Sequence, residues 1–340
     1  MNILVTGGAG YIGSHVAKQL LEGTEYSLTI LDNLSTGSRE TLDTLRGIRD
    51  FKFIELDLNE FDKILPILKE NRIDTIIHFA ASIVVPESVA KPLDYYMNNI
   101  VNSTNLIDKA VKAGVERFVF SSTAAVYGEP DSIPETGLDE SFPTAPINPY
   151  GMSKLMSENV LKDTSFAYPS FRHVAFRYFN VAGADIFYNG DKLEPRIGQS
   201  FPNATHLIKI ASECAEGKRE KMAIFGDDFD TEDGTGVRDY IHIDDLASAH
   251  IQAIEYLKEN DSDTFNVGYG KGYSVKEVIE TVKSVTGVDF AVDIAPRRAG
   301  DPALLISNNS KIQQKMGWSP KYNDLALICQ SAYEWEKRLG

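Results

Sequence analysis

The sequence reads Thr6-Gly7-Gly8-Ala9-Gly10-Tyr11-Ile12-Gly13-Ser14 directly after a short β-branched run and opens a helical pattern that continues to Leu21. A strand, a glycine-rich turn and a helix in this order are typical of the first part of a dinucleotide-binding βαβ unit. The glycines permit a tight turn, close approach of the backbone to a pyrophosphate, and close helix packing. The helix N-terminus offers N–H donors to the phosphates. We therefore predict that this turn binds a dinucleotide.

The second β-branched run ends at Asp32, nineteen residues after Gly13. A carboxylate at this place can accept hydrogen bonds from both hydroxyls of an adenosine ribose. A 2′-phosphate would meet its negative charge, and the following residues 33–36 contain no Arg to compensate. The position therefore favours NAD over NADP. An ordinary glycine-rich turn with a strand-end Asp is the alternative, which the βαβ context disfavours.

Short β-branched runs alternate with longer helical patterns through the first half of the chain. Strands are predicted at residues 3–6, 28–31, 51–56, 75–79, 117–121 and 173–177. Near-continuous apolar strands separated by helices indicate a parallel sheet that is covered on both faces. We predict an α/β fold with a Rossmann-like doubly wound parallel sheet and a smaller C-terminal α/β substrate domain. The predicted domains are residues 1–180 and 181–340, with segments near 236–267 returning to the first.

After about Asn180 the pattern loosens into a region rich in Gly, Pro and Asp. Such composition is typical of loops, which often carry function. Loops are predicted at residues 187–205 and 226–236, helices at 206–217, 243–259, 274–286 and 310–316, a strand at 264–267 and a turn at 318–320.

Composition restricts the class of partner. The 340 residues carry a formal net charge of −15, which argues against nucleic acids and acidic membrane surfaces. Local arginines and helix N-termini can still attract an anionic small molecule. No apolar run approaches the ~18 residues of a membrane span, and the chain starts in a strand without a signal sequence, so we expect a cytoplasmic location.

Cysteine and histidine usage gives no sign of a disulfide framework or a metal site. Cys214 and Cys329 lie far apart without neighbouring ligand pairs, and we predict small buried or partly buried thiols. The histidines show no metal-ligand spacing; they are His15, His78, His173, His206, His242 and His250. We predict no metal.

Tyr150 and Lys154 carry the strongest chemical signal. They stand four residues apart in a helical pattern, so both lie on one helix face, where the ammonium can favour an ionised phenol. Taken alone, the pair also fits an amphipathic helix with a solvated Lys. Earlier in the chain, a predicted strand ends in the hydroxyls of Ser121, Ser122 and Thr123, at the edge where α/β sheets place their sites.

The glycine motif, the strand-end hydroxyl and Tyr-x-x-x-Lys, in this order, resemble the extended short-chain dehydrogenase/reductase family. Within it, the chain most resembles the UDP-glucose 4-epimerases over essentially its whole length. The segments that carry the resemblance are residues 7–15, 32–34, 87–89, 91–93, 177–180, 223–226, 231–242 and 297–301.

The resemblance implies interconversion of UDP-galactose and UDP-glucose through hydride transfer to tightly held NAD, a 4-keto sugar, its rotation, and hydride return. Tyr150 is expected to accept the 4-hydroxyl proton, directly or through Thr123, and Lys154 to lower the pKa of Tyr150. Ala124 and Ala125 lack the acid/base groups that related dehydratases and decarboxylases carry there. A preference for UDP-N-acetylglucosamine or UDP-glucuronate stays open, as does an NAD-binding protein without turnover.

The resemblance also implies the remaining site residues. The catalytic set is Tyr150, Lys154 and Thr123. Expected cofactor contacts are Gly7, Gly10, Tyr11, Ile12, Gly13, Asp32, Asn33, Ser35, Thr36, Asp57, Leu58, Phe79, Ala80, Ala81, Asn98, Ser121, Tyr150, Lys154 and Tyr178. Expected UDP-sugar contacts are Thr123, Tyr150, Asn180, His206, Leu207, Ala223, Ile224, Phe225, Arg238, Arg298, Asp301 and Leu305.

Three positions depart from the pattern of these epimerases. Ile83 stands where many of them have a Lys near the cofactor phosphates, so retention of NAD is expected to be weaker or to be supported differently. His206 replaces an Asn and is a candidate for a pH-sensitive substrate contact. Leu305 is intermediate in size at a position associated with admitting or excluding an N-acetyl group. A homodimer is expected through a four-helix bundle that involves residues 95–113 and the Tyr150 helix.

Overall fold

The computed structural model describes residues 1–130, 132–202, 205–298 and 301–340. These residues form two compact units. The first comprises Met1–Gly128, Pro143–Arg177 and Ala247–Phe265, and the second comprises Glu129–Phe142, Tyr178–Leu246 and Asn266–Gly340, apart from the residues outside the description. The assignment of cofactor binding to residues 1–180 and of UDP-sugar binding to 181–340 stays a prediction.

The strands are short, as expected for an α/β fold. They are β1 (Asn2–Thr6), β2 (Ser27–Asp32), β3 (Lys52–Glu55), β4 (Thr75–His78), β5 (Arg117–Ser121), β6 (Arg172–Tyr178), β7 (Asn180–Ala182), β8 (Tyr188–Asn189), β9 (Lys192–Leu193), β10 (Lys221–Phe225), β11 (Val237–His242), β12 (Asp263–Val267), β13 (Gly272–Ser274), β14 (Ala291–Ala295) and β15 (Leu304–Leu305).

The helices lie between these strands. They are α1 (Tyr11–Gly23), α2 (Arg39–Arg46), α3 (Phe61–Glu70), α4 (Val85–Ala90), α5 (Pro92–Tyr96), α6 (Asn102–Ala113), α7 (Pro149–Ala167), α8 (Leu207–Ala215), α9 (Ile243–Glu259), α10 (Val275–Thr286), α11 (Ser310–Met316) and α12 (Leu325–Arg338). A π-helical turn, Met97–Val101, joins α5 to α6, and a 3₁₀ turn spans Ala124–Tyr127. None of the helices described is long and apolar enough to cross a membrane.

A seven-stranded sheet with the order β12-β6-β5-β4-β1-β2-β3 dominates the first unit. Strands β1 to β6 pair in parallel with their neighbours. Side chains on both faces of the central strands are buried: Ile3, Leu4 and Val5 of β1 are fully enclosed. Burial on both faces explains why these strands appear in the sequence as continuous apolar runs. The predicted doubly wound α/β fold is confirmed.

The sheets of the second unit have fewer strands than the sheet of the first unit. A parallel pair joins β10 to β14, a second sheet has the order β13-β11-β15 with β7 on β11, and β8 pairs with β9. Helices α9 and α11 have the predicted bounds, and the loop at 226–236 is confirmed. The region predicted as a loop at 187–205, of which residues 203 and 204 lie outside the description, contains a small hairpin of β8 and β9 that was not predicted. Its turn places Gly190 at φ +62°, a conformation that glycine adopts without strain.

Candidate active site

The glycine turn between β1 and α1 is shaped by missing side chains. Gly7 has a φ of +71°, and a Cβ on it would lie 2.8 Å from the backbone nitrogen of Ala80. A Cβ on Gly13 would lie only 2.2 Å from the carbonyl oxygen of Gly7. Helix α1 starts after Gly10, whose position offers no side-chain cap. The first turn of α1 therefore meets the sheet closely and keeps its N-terminal N–H groups available for a pyrophosphate.

Asp32, at the end of β2, is held by the backbone on both of its oxygens. Its Oδ2 accepts from Ala9 N at 3.0 Å and its Oδ1 accepts from Leu34 N at 2.8 Å. Burial raises the pKa of this carboxyl, and the two N–H donors oppose that shift. Each oxygen retains a lone pair for a ribose hydroxyl. The arrangement fits an adenosine ribose without a 2′-phosphate.

Other predicted cofactor residues also come together in the first unit. The amide of Asn33 donates to Asp57 Oδ2 at 2.7 Å, which joins the segments after β2 and β3. Phe79, Ala80 and Ala81 follow β4 directly, and Phe79 N donates to Thr6 O at 3.0 Å. Asn98 lies in the π-helical turn and donates to Ser82 Oγ at 2.9 Å. These groups line the carboxyl edge of the sheet, where α/β proteins bind ligands.

Helix α7 carries Tyr150 and Lys154 in its first turns. Asn148 caps it by accepting from Gly151 N at 2.9 Å, and Pro149 occupies the first helical position, where its missing N–H costs nothing. A Cβ on Gly151 would lie 2.7 Å from the carbonyl oxygen of Ala125. Glycine at this position therefore lets α7 approach the segment that follows Thr123.

Lys154 is buried rather than solvated. Only 3% of the residue is exposed. Its Nζ donates to Ser121 O at 2.7 Å and lies 5.0 Å from the centroid of the Phe120 ring. Burial lowers the pKa of the Lys154 ammonium to about 7, and the charge of Glu158 opposes this. The alternative of a solvated Lys on an amphipathic helix is therefore wrong.

Tyr150 is buried beside Thr123. The Thr123 hydroxyl accepts from Ala125 N at 3.1 Å, which fixes it at the start of the 3₁₀ turn, and it also hydrogen-bonds the Tyr150 phenol. Burial raises the pKa of Tyr150, and the bond to Thr123 opposes that shift. Desolvation of the phenolate is the larger of these two effects in the protein alone. The expectation that Lys154 lowers the pKa of Tyr150 stays a prediction.

Several predicted UDP-sugar residues lie in the second unit. Arg238 on β11 forms an ion pair with Asp301 and is the parallel register partner of Leu305 on β15. Arg298 stacks on Phe225 of β10 at 3.7 Å from the ring centroid. Each of the two arginines brings a cation that is compatible with binding a phosphorylated ligand, and the roles of the individual residues stay predictions.

The remaining predicted contacts in this unit are more dispersed. Asn180 is exposed at the start of β7, where it pairs with Tyr240, and Ala223 and Ile224 lie on β10 before Phe225. His206 is exposed immediately before α8, and Leu207 is the first residue of that helix. Ala299 and Gly300, which carry part of the family resemblance, lie outside the described residues.

The first unit contains a cluster of buried polar side chains that was not predicted from the sequence. Glu158 on α7 contacts Ser122, directly before Thr123, and Arg177 on β6. The signal that could have found it is the i+4 spacing of Glu158 after Lys154, on the same helix face. Both cysteines are buried, as predicted. Among the residues described, no three His, Cys, Asp or Glu side chains lie close enough together to hold a metal ion.

Known proteins resemble this chain in sequence and in fold. Residues 3–268 match the NAD dependent epimerase/dehydratase family. The chain belongs to this family. Membership identifies NAD as the cofactor, in agreement with the glycine turn and Asp32. The family resemblance that the sequence motifs indicated is confirmed.

Individual members of the family align over nearly the whole chain. The UDP-glucose 4-epimerase of Azospirillum brasilense is 46% identical, and the alignment covers 99% of this chain and 92% of the relative. A structure described as the UDP-Glc/GlcNAc 4-epimerase of Campylobacter jejuni is 56% identical, covers 99% of both chains and has a TM-score of 0.86. The UDP-glucose 4-epimerase of Bifidobacterium longum, in complex with NAD+ and UDP, is 35% identical, covers 99% and 98% of the chains and has a TM-score of 0.92.

Proposed function

We propose that this epimerase-family chain interconverts UDP-galactose and UDP-glucose by oxidising and re-reducing C4 of the sugar. The observation that carries the proposal is the buried trio of Tyr150, Thr123 and Lys154 in a chain of this family. The residues after Thr123 are Ala124 and Ala125, which cannot transfer protons. Chemistry beyond oxidation and return, such as elimination of water, therefore lacks an acid/base group at this place.

The residues of the chain divide the proton chemistry as follows. Tyr150, in its ionised form, accepts the proton of the sugar 4-hydroxyl, directly or through the Thr123 hydroxyl that it already contacts, and the positive charges of Lys154 and of bound NAD would favour that phenolate. The glycine turn and Asp32 would hold NAD, which would supply the acceptor for the C4 hydride and the donor that returns it. Lys154 places an ammonium one helical turn from Tyr150, in surroundings where a charge is poorly screened. The 4-keto sugar turns its other face before reduction, and Tyr150 then returns the proton.

Rotation of the sugar requires that its nucleotide stay bound. We assign this task to Arg238, Arg298 and Asn180 at the diphosphate and to Asp301 at the uridine ribose. The Arg238–Asp301 ion pair supports this assignment, because it places a cation beside a hydrogen-bond acceptor. The Bifidobacterium relative binds NAD+ and UDP, which agrees with it.

UDP-N-acetylglucosamine is a second candidate substrate. The Campylobacter relative, 56% identical to this chain, is described as acting on both the glucose and the N-acetylglucosamine forms. Leu305 is compatible with this second substrate, since its side chain is intermediate in size at the position that the family resemblance associates with admitting or excluding an N-acetyl group.

We propose that the chain acts as a homodimer. Large apolar side chains are exposed on α4, α5, the π-helical turn and α7, namely Val89 (63% exposed), Leu93 (76%), Met97 (59%) and Met156 (41%). A second copy of these helices would cover them. Light scattering coupled to size exclusion should give twice the 37.7 kDa of one chain. A monomer at micromolar concentration would contradict the proposal.

The activity is tested with purified protein and each UDP-sugar in turn. We expect equilibration of UDP-galactose with UDP-glucose, quantified by chromatography of the C4 epimers. Parallel reactions with and without added NAD measure how firmly the cofactor is retained. Failure to convert any UDP-hexose with NAD supplied would sink the proposed function.

A further inference from the structure

Glu158 and Arg177 form a buried ion pair that the proposed chemistry does not use. Arg177 Nη2 donates to Glu158 Oε2 at 2.7 Å, and its Nε lies 3.1 Å from Oε1 and 3.2 Å from Oε2. Glu158 is 7% exposed and Arg177 is 8% exposed. Such a pair is held only where its geometry compensates for desolvation, and it is costly to break from one side.

The pair is linked to both sides of Thr123. Ser122 Oγ, in the preceding residue, donates to Glu158 Oε1. Arg177 Nη1 donates to the hydroxyl of Tyr127 at 3.2 Å, and its guanidinium lies 5.1 Å from the Tyr127 ring centroid. Tyr127 ends the 3₁₀ turn that begins after Thr123. The pair therefore ties the segment that carries the Thr123 hydroxyl to α7 and β6 from both of its ends, in addition to the bonds from Lys154 Nζ to Ser121 O and from Ser122 N to Phe176 O.

Glu158 also lies one helical turn beyond Lys154. Burial favours the neutral amine of Lys154, and the Glu158 carboxylate is the charge that opposes it. Burial also disfavours the charge of Arg177, but its hydrogen bonds to Glu158 outweigh this and raise the pKa of the guanidinium. Arg177 thus stays charged and holds the carboxylate in place.

We propose that Glu158 and Arg177 are positioning residues: they fix Thr123 against Tyr150, and the Glu158 carboxylate, one helical turn beyond buried Lys154, is its counter-ion. The part of this inference that concerns turnover rests on the proposed epimerase function. The part that concerns the charge of Lys154 does not.

The groups around Lys154 define what else could change its charge. Tyr150 and Glu158 lie four residues before and four residues after it on α7, on the same helix face. His78, at the end of β4, is lowered in pKa to about 3, first by burial and second by the Lys154 charge, so it is neutral near pH 7. Glu158 is accordingly the nearby anion among the groups described here.

Glu158→Gln removes the charge and keeps the shape. The ionisation of Lys154 can be followed without substrate by NMR of protein labelled at the lysine Cε carbons, with the resonance assigned by its loss in Lys154→Met. We expect Glu158→Gln to move the Lys154 midpoint down by roughly one pH unit or more, because the carboxylate is lost and Arg177 stays cationic. Asp163→Asn, at an exposed position on the same helix, should leave the midpoint unchanged.

A second variant covers the case in which an unpaired Arg177 prevents folding. Glu158→Gln combined with Arg177→Met removes both charges, and its Lys154 midpoint should fall between those of the wild type and Glu158→Gln. A wild-type midpoint in the double variant, or in folded Glu158→Gln, overturns the charge role.

The proposed positioning of Thr123 is tested separately, by the steady-state kinetics of a Ser122 variant. Ser122→Ala removes the link to Glu158 but keeps the ion pair. We expect kcat to fall roughly tenfold with KM nearly unchanged and with an unshifted Lys154 midpoint. Full kcat in Ser122→Ala would show that the link does not position Thr123. If the wild type converts no UDP-hexose, the proposed function fails, while the NMR titration still decides the role of Glu158.

Discussion

Leu305 and Arg238 are register partners on the parallel strands β15 and β11. Partner residues in a parallel pair project from the same face of a sheet, so Leu305 lies beside the guanidinium to which we assign the diphosphate. The side chain at 305 is therefore placed to limit the size of a group near a bound nucleotide sugar.

Enlarging Leu305 should separate the two candidate substrates. We expect Leu305→Tyr to lower kcat/KM for UDP-N-acetylglucosamine by ~10-fold or more and to change that for UDP-glucose by only a few fold, because the larger ring occupies the space of the acetamide. Leu305→Met, which conserves volume, should retain both activities. An equal effect of Leu305→Tyr on both substrates would exclude position 305 as the determinant.

Removing the Tyr150 hydroxyl should remove the proton acceptor and leave nucleotide binding nearly unchanged. We expect Tyr150→Phe to lower kcat by about 10² to 10⁴ fold, the range for loss of a general base. Affinity for UDP, measured by calorimetry, should change by less than a few fold. Activity that survives this change would transfer the role of base to another group, with Thr123 the first to test.

Two glycines of α1 offer a matched pair of substitutions. A Cβ on Gly13 would lie 2.2 Å from Gly7 O, whereas a Cβ on Gly23 would meet nothing within 4 Å. Gly13→Ala should therefore weaken NAD binding at least tenfold and lower the melting temperature, because the turn must shift. Gly23→Ala should leave NAD binding unchanged and stabilise the fold by up to about 1 kcal/mol. Normal NAD affinity in Gly13→Ala would show that the turn tolerates the shift.

The buried His173 side chain should make the folded protein less stable in acid. Burial lowers its pKa from 6.5 to about 4, with the charge of Asp263 opposing, so the folded state rejects a proton that the unfolded state binds. The stabilisation is present above pH 6.5 and lost as the pH falls toward 4. It amounts to about 3 kcal/mol at 1.36 kcal/mol per pKa unit.

This contribution can be isolated by substitution. We expect the free energy of unfolding of His173→Asn, measured by denaturant titration, to depend less on pH between 6.5 and 4 than that of the wild type. Values above pH 7.5 give the packing cost alone and serve as the control. Parallel pH profiles for the two proteins would mean that His173 is accessible to protons in the folded state.

The parallel sheet and the cofactor turn were predictable because each depends on local sequence. A buried parallel strand needs apolar residues on both faces, and a turn with φ above zero needs glycine, so both leave a pattern that is read directly. The β8–β9 hairpin left no such pattern, since two-residue strands are too short for alternation. The pairing of Arg238 with Asp301 joins residues far apart in the chain, which periodicity does not report.

The charge states at Tyr150 and Lys154 depend on depth rather than on spacing. The four-residue interval placed both side chains on one face correctly. It did not show that this face is buried. Burial favours the neutral form of each group, so it raises the pKa of Tyr150 and lowers the pKa of Lys154. Glu158 escaped notice for the same reason, because an i+4 carboxylate on an exposed helix is common and of small effect.

Strand β12 lies beside β6 in the sheet, although about 85 residues separate them in the chain. During synthesis, six strands can assemble as soon as β6 has emerged, but the free edge of β6 waits for the seventh. At 5 to 20 residues per second this interval lasts roughly 4 to 17 s. An unpaired edge of that duration can recruit a strand from another chain. The edge of β6 is consequently open to such contacts while the residues between β6 and β12 are being translated.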